Sequence, residues 1–331
     1  MIILGIETSC DETAASILKN GKILSNVIIS QIIHENYGGV VPALASKNHE
    51  ILINNVVNEA VKKSNYNIFN LDAIAVTQGP GLIGSLLIGM NYAKGLSIGL
   101  GIPLIGVNHL EGHLFSGLIQ NNIKYPYLCL LVSGGHTQIW YIKDENNYEI
   151  ISSTVDDAAG EAFDKGARIL GLKYPGGPEI ERIATGGDLN SYNFPIPKVK
   201  EKPLYFSFSG LKTALLYQIK KMTDKQIKIN IHNLAACYQE TIINTLLNTL
   251  HKAYKQYRVN DILIVGGVSS NKRFRKIAKK LEKTINSRIH FPKLMYCTDN
   301  AAMIAMVGYM KYKKKQYSKL NITPYSSIEK Y

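Results

Sequence analysis

The sequence predicts an α/β protein of two duplicated lobes, and three observations carry that prediction. The chain has 331 residues, 46% of them hydrophobic, and at about 150 residues per domain this makes roughly two lobes. A succession of apolar strand, polar turn, hairpin and helices occurs twice along it. The polar turns are Glu7-Thr8-Ser9-Cys10-Asp11 in the first copy and Ser133-Gly134-Gly135-His136 in the second. A chain of this length buries a core without disulfides or structural metal, which excludes disordered, collagen-like and small secreted proteins. The expected lobes are 1–125 and 126–331, with a cleft between them and a terminal helix over about 299–316 packing across the first.

The elements follow in order. An apolar strand over 2–7 leads to a hairpin whose arms, 13–19 and 22–29, flank Asn20-Gly21, the favoured type I′ pair. Pro42 opens a long amphipathic helix through Lys63, where its fixed φ suits the first turn. A buried strand over 73–77 turns through Gly79-Pro80-Gly81 into an apolar helix, and a strand over 104–107 precedes a helix over 109–118. The pattern then restarts with strands over 127–132 and 137–142 and a turn at Asn146-Asn147. A strand over 261–265 runs into Gly266-Gly267, with a helix over 269–283 behind it.

Other classes are excluded in turn. The stretch 82–107 is apolar, with Lys94 its one charge, but Asn91, six glycines and Pro103 interrupt it, whereas a spanning helix wants about 20 apolar residues. The start reaches Glu7 with no basic region before it, so no signal peptide is expected. Four scattered cysteines without a CxxC pair suit a reducing, cytoplasmic compartment.

Net charge is +13, unevenly spread: residues 1–190 hold 12 Lys+Arg against 18 Asp+Glu, and residues 191–331 hold 26 against 7. Codon bias would raise lysine everywhere and does not change sign between halves. The basic half therefore suggests a polyanionic partner, nucleic acid first. The densest runs are 272–280 and 311–315, although such a run is ordinarily a solvated helix face.

The chemistry-bearing residues are few. His109-Leu-Glu-Gly-His113 places two imidazoles at i and i+4, one helix face, where both can hold one metal. A zinc-protease helix needs its glutamate directly after the first histidine; Glu111 comes two after, on the other side. Asp299 reads most simply as a helix N-cap, with third metal ligand as its other role. Glu161 and Lys165 can pair at i, i+4, and Asp164 stands beside the turn Tyr174-Pro-Gly-Gly-Pro178 as a candidate for ribose hydroxyls or a ligand amine. Ser133-Gly134-Gly135 and Gly266-Gly267 follow apolar strands, where turn N–H groups can cradle phosphate. Neither matches a P-loop, and no G-x-G-x-x-G follows the first strand. Two such turns on duplicated lobes point to the architecture of actin, hexokinase and Hsp70.

Ten motifs in register carry a closer resemblance. They are Gly5-Ile-Glu-Thr-Ser-Cys-Asp-Glu12, Gly38-Gly-Val-Val-Pro42, Gly79-Pro-Gly81, His109-x3-His113, Leu131-Val-Ser-Gly-Gly-His-Thr137, Asp157-Ala-Ala-Gly-Glu-Ala-Phe-Asp-Lys165, Tyr174-Pro-Gly-Gly-Pro178, Phe206-Ser-Phe-Ser-Gly-Leu-Lys212, Gly266-Gly-Val-Ser-x-Asn271 and Cys297-Thr-Asp-Asn300. From about residue 2 to 310 the chain resembles the tRNA adenosine threonylcarbamoyltransferase family of the bacterial TsaD/YgjD/Gcp type. That resemblance implies two lobes of the acetate kinase/sugar kinase/Hsp70 (ASKHA) fold. It also implies transfer of the threonylcarbamoyl group from threonylcarbamoyl-AMP to the adenosine 3′ of the anticodon, in tRNAs reading codons that begin with A. His109, His113 and Asp299 match the family's metal ligands, usually for iron (Fe2+), with Zn2+ or Mg2+ as alternatives. Leu131, Val132, Ser133, Gly134, Gly135, Asp164, Gly177, Glu181 and Asn271 match its adenylate contacts, and Asp11 and Glu12 are acid/base candidates. Leu131 stands where archaeal and eukaryotic members offer a tyrosine ligand, and Glu181 where many members have aspartate. The implied partners are tRNA, a non-catalytic paralogue of the TsaB type, an ATPase subunit of the TsaE type and the enzyme that makes the adenylate. A kinase on the same lobes, or a scaffold paralogue, is the alternative.

Overall fold

A computed structural model describes residues 1–119, 121–197, 199 and 201–327. It resolves into two compact units, one formed by Met1–Asn121 with Thr298–Tyr331, the other by Asn122–Cys297.

The first unit opens with β1 (Ile2–Glu7), β2 (Glu12–Lys19) and β3 (Lys22–Ser30), then α1 (Pro42–Ser64), β4 (Ala73–Gly79), α2 (Ile83–Leu100), β5 (Leu104–Asn108) and α3 (His109–Ser116). Asn20 and Gly21 take the left-handed φ values, 48° and 81°, that a type I′ hairpin needs. Pro42 begins α1, and Asn65, at φ 59°, ends it. The strands form one sheet in the order β3-β2-β1-β4-β5, with β1, β4 and β5 parallel. Parallel strands are buried on both faces, and β1 is buried throughout. Alternation sends Ile2, Leu4 and Ile6 into a core shared with Ile53, Val56 and Val57 of α1. The same alternation sends Ile3, Gly5 and Glu7 to the opposite face.

The second unit runs β6 (Tyr127–Val132), β7 (Thr137–Ile142), β8 (Tyr148–Ser153), α4 (Ala159–Ile169), α5 (Gly176–Ala184), α6 (Ser209–Lys220), α7 (Asp224–Tyr257), β9 (Asp261–Val265), α8 (Lys272–Glu282) and β10 (Arg288–His290). Its sheet order is β10-β9-β6-β7-β8. Read from the other edge this is third, second, first, fourth, fifth strand, the topology of the first sheet, so the duplication seen in the sequence is a duplication of fold. The long α7 starts at a reciprocal cap, where Thr223 N donates to Gln226 Oε1 (2.8 Å) and Gln226 N to Thr223 Oγ1 (3.3 Å). Its apolar face buries Tyr238, Ile242, Leu246 and Leu250 against Leu128, Leu130 and Ile139 of the sheet. The helix expected over 269–283 begins later, because a short 3-10 turn over Gly267–Ser270 intervenes and Asn271 caps α8 through its contact with Phe274 N (2.9 Å).

The chain then returns as α9 (Ala301–Lys313) to the first unit, on the sheet face carrying Ile3 and Gly5. A Cβ on Gly5 would lie 2.4 Å from the Ala301 carbonyl, so only glycine admits the helix this close. The N-cap of α9 is Asn300, whose Oδ1 accepts from Met303 N (3.1 Å), and not Asp299. Two adjacent residues were each competent to cap, and the use of Asn300 leaves Asp299 for other work. No described helix is long and apolar enough to cross a membrane.

Candidate functional site

The C-terminal ends of β1, β4 and β5 bring Glu7, Thr77 and His109 together, the end of a parallel sheet where ligands bind. His109 and His113 lie one turn apart on α3, their rings edge to face with centroids 4.8 Å apart. His109 Nε2 is 3.4 Å and His113 Nε2 3.1 Å from the same Asp299 Oδ1. The Nδ1 of His109 faces the other way, 3.0 Å from Glu7 Oε2 and 3.1 Å from Ser9 Oγ. Glu7 is fully buried and also accepts from Thr77 Oγ1 (2.6 Å) and Ser9 N. Its carboxylate therefore fixes the tautomer and direction of the His109 ring, as acids behind metal-bound histidines do.

The two imidazoles and one carboxylate offer ligand atoms within 4.8 Å of one another. A nitrogen-rich set with one oxygen suits a divalent first-row ion, so these residues fit the metal that the sequence motif implied. Burial alone would raise the carboxyls of Glu7 and Asp299, but His109 beside them holds both below their usual values of 4.5 and 3.8. Burial alone would lower His109, yet Asp299 and Glu7 push it well above 6.5. Without metal, His109 is thus a cation bridging two carboxylates.

Asp11 and Glu12 belong to the same unit, Asp11 in the turn after β1 and Glu12 as the first residue of β2. Burial, then the charges of Asp299, Asp11 and Glu7, raise the Glu12 carboxyl well above 4.5. A carboxyl raised in this way is a candidate for holding and passing a proton. The turn is braced by a residue the sequence did not single out: buried His49 of α1 bonds Thr13 Oγ1 through Nδ1 (2.8 Å) and the Cys10 carbonyl through Nε2 (3.0 Å).

In the second unit, β6 and β9 are parallel with Leu131 opposite Val265, so the two glycine turns emerge side by side. A Cβ on Gly266 would lie 2.3 Å from the Val132 carbonyl. Leu131 and Val132 have fully buried side chains, whereas Gly134 and Gly135 face open space. The N-terminus of α4 closes on this turn, with Gly160 N donating to the Ser133 carbonyl (3.1 Å). Asp164 Oδ1 accepts from Gly176 N (2.7 Å) at the start of α5, beside Gly177. Glu181 Oε1 accepts from Lys272 N (2.7 Å) at the start of α8, and Asn271 Nδ2 donates to Gln239 Oε1 (2.7 Å). The structure thus gathers Asp164 with Gly177 and Glu181 with Asn271 at two helix starts, where the two carboxylates take the backbone N–H groups of Gly176 and Lys272. Lys165 meets Glu161 (2.8 Å) as the sequence suggested, and Asp157 as well (2.6 Å).

Glu111 pairs with Lys311 (2.9 Å) and is not placed as a base for the histidine pair. The basic runs are partly spent inside the fold: Arg273 pairs with Glu240 (2.8 Å), and Arg275 donates to the Ser269 and Pro292 carbonyls.

Against known proteins, a family model described as tRNA N6-adenosine threonylcarbamoyltransferase (TsaD) matches residues 22–306. The protein of that name from Thermosipho africanus is 52% identical over 316 residues, covering 95% of each chain. The one from Fervidobacterium nodosum is 46% identical, covering 98% of this chain and 97% of its own. Among solved structures, HypF of T. kodakarensis superposes with a TM-score of 0.66 at 15% identity, over 97% of this chain and 49% of its own. Component A of (R)-2-hydroxyglutaryl-CoA dehydratase from Acidaminococcus fermentans gives 0.55 at 15% identity, over 95% of this chain and 99% of its own. These distant likenesses show the fold, two actin-like lobes.

Proposed function

Because the chain belongs to the tRNA N6-adenosine threonylcarbamoyltransferase family, we infer that its two units supply the two needs of a transfer reaction on tRNA, nucleotide binding and activation of a carbonyl. The protein forms threonylcarbamoyladenosine in tRNA. The donor we propose is threonylcarbamoyl-AMP, with its phosphate at the Gly134-Gly135 turn and its adenosine near Asp164, Gly177, Glu181 and Asn271. Leu131 and Val132 at the end of β6, with Ser133 just after it, shape that turn. The exocyclic nitrogen of the adenosine 3′ of the anticodon attacks the carbamoyl carbon, the bond from that carbon to the phosphate oxygen breaks, and AMP departs. The amine proton passes to Asp11 or Glu12. An aryl amine is a weak nucleophile and a carbamoyl carbon a weak electrophile, so alignment and charge stabilisation must provide most of the acceleration.

His109, His113 and Asp299 would hold the divalent ion, iron in our reading, with Glu7 orienting His109. Bound there, such an ion supplies Lewis-acid polarisation of the carbonyl. The observation that supports this role is the Glu7–His109–Asp299–His113 chain of contacts, which a kinase on the same lobes would not need and a scaffold paralogue would not keep. We further propose a cytoplasmic enzyme working with a TsaB-type paralogue, a TsaE-type ATPase and the enzyme that makes the adenylate. Depleting the protein and measuring tRNA nucleosides by mass spectrometry tests the reading. Threonylcarbamoyladenosine should fall; an unchanged level overturns it.

A further inference from the structure

The chain beyond α9 forms a strap along the first unit that no motif in the sequence marked. β5 is the edge of its sheet, and an edge strand leaves backbone groups unpaired. Ser318 covers it as an antiparallel bridge to Leu104, its N–H donating to the Leu104 carbonyl (2.8 Å) and its Oγ accepting from Gly106 N (2.9 Å). Lys94 Nζ then holds the Ile322 carbonyl (2.7 Å), and Gln78 Nε2 the Thr323 carbonyl (2.9 Å). At the end of the strap, Tyr325 Oη donates to the Gly79 carbonyl (2.9 Å) and accepts from Asn108 Nδ2 (3.0 Å).

The strap packs closely on two glycines. A Cβ on Gly79 would lie 2.3 Å from the Tyr325 carbonyl, and one on Gly106 would lie 3.2 Å from Ile322 and 3.3 Å from Ser318 Oγ, besides meeting Gln78. The first glycine of the Gly79-Pro-Gly81 motif thus makes room for the chain's own C-terminal segment. The strap is therefore built into the fold.

Its last contact falls on a residue next to the metal ligands. Asn108 is the N-cap of α3, its Oδ1 accepting from Leu110 N (2.8 Å) and Glu111 N (3.1 Å). That helix is short, eight residues, and carries both His109 and His113. A helix of two turns has little stiffness of its own, so its cap helps to hold the backbone from which both rings reach Asp299.

We infer that Tyr325 is a positioning residue for the histidine cluster: its hydroxyl locks the Asn108 side chain that caps and aims α3. The inference rests on the metal reading above. Tyr325→Phe removes the hydroxyl and leaves the ring, so the strap keeps its packing. Zn2+ titrated against a competing chelator, on the full-length protein, should bind about fivefold more weakly in this variant, the worth of one hydrogen bond. In metal-free protein, hydrogen exchange at the Leu110 and Glu111 amides should quicken while the melting temperature holds. Unchanged zinc affinity and unchanged exchange in Tyr325→Phe, with zinc binding abolished in His109→Ala, would overturn the inference alone. Zinc bound by His109→Ala as tightly as by wild type would overturn the metal reading and the inference with it.

Discussion

Glu7 carries more of the site than its place in a strand suggests. It is a fully buried carboxylate that accepts from Ser9, Thr77 and His109, so Glu7→Gln leaves a buried cation half-partnered. Such a change costs about 3 kcal/mol or more, and metal affinity should fall because His109 loses its orientation. Circular dichroism melts together with metal titration check both outcomes. The pH dependence of the metal-free protein follows from the same groups. His109 is raised above 6.5, so its contribution is full below that pH and is lost as pH climbs through its higher folded value. Glu7 and Asp299 are lowered, so theirs is present above 4.5 and 3.8 and is lost as pH falls further. Metal must displace the Nε2 proton of His109, so affinity should rise with pH, and binding should release a proton that calorimetry in buffers of different ionisation heat can count. Glu12 is raised by burial and by its acidic neighbours, so ionising it costs folded-state stability. Glu12→Gln should therefore raise the melting temperature by about 1–3 °C at neutral pH while slowing transfer. A lower melting temperature would count against that electrostatic account.

Elements explain which of these residues the sequence disclosed. The histidine pair was legible because i, i+4 spacing on a helix has one geometric meaning. Asp299 was read two ways because Asp and Asn stand side by side, and only packing assigned the cap to Asn300. Glu7 was visible as an acid ending an apolar strand, yet its partners Thr77 and His109 are about 70 and 100 residues away, joined by strand order alone. Tyr325 had no signal at all, since the strap has no periodicity. The glycine turns behave differently at this scale, and two substitutions separate their roles. Gly135 faces open space, so Gly135→Val should keep its melting temperature and lose AMP binding in calorimetry. A Cβ on Gly160 would lie 2.6 Å from the Ser133 carbonyl, so Gly160→Ala should destabilise by about 1–3 kcal/mol and disturb the turn as well. Equal AMP affinity in Gly135→Val and wild type would move the phosphate elsewhere.

For the whole molecule, the duplicated topology was legible as a repeated pattern of strand, turn and hairpin, and both five-stranded sheets bear it out. Charge was less legible. Counted by structural unit, the first holds 12 Lys+Arg against 10 Asp+Glu and the second 26 against 15. The sign change between sequence halves therefore softens, because the C-terminal lysines belong to the first unit. Both units stay positive, so tRNA affinity should fall steeply with salt. Lys313, Lys314 and Lys315 are exposed, and their reversal to Glu should weaken tRNA binding and flatten that slope; equal affinity would make the run a solvated helix end. The most direct test of the central claim joins metal to transfer in one preparation. Wild-type protein and His109→Ala would each be assayed for bound metal by mass spectrometry, then given tRNA, the adenylate and the partner subunits, with threonylcarbamoyladenosine counted per AMP released. The account predicts one modified nucleoside per AMP from the metal-loaded wild type, and loss of both metal and transfer in the variant with its fold intact. Full transfer by a metal-free His109→Ala protein would contradict it.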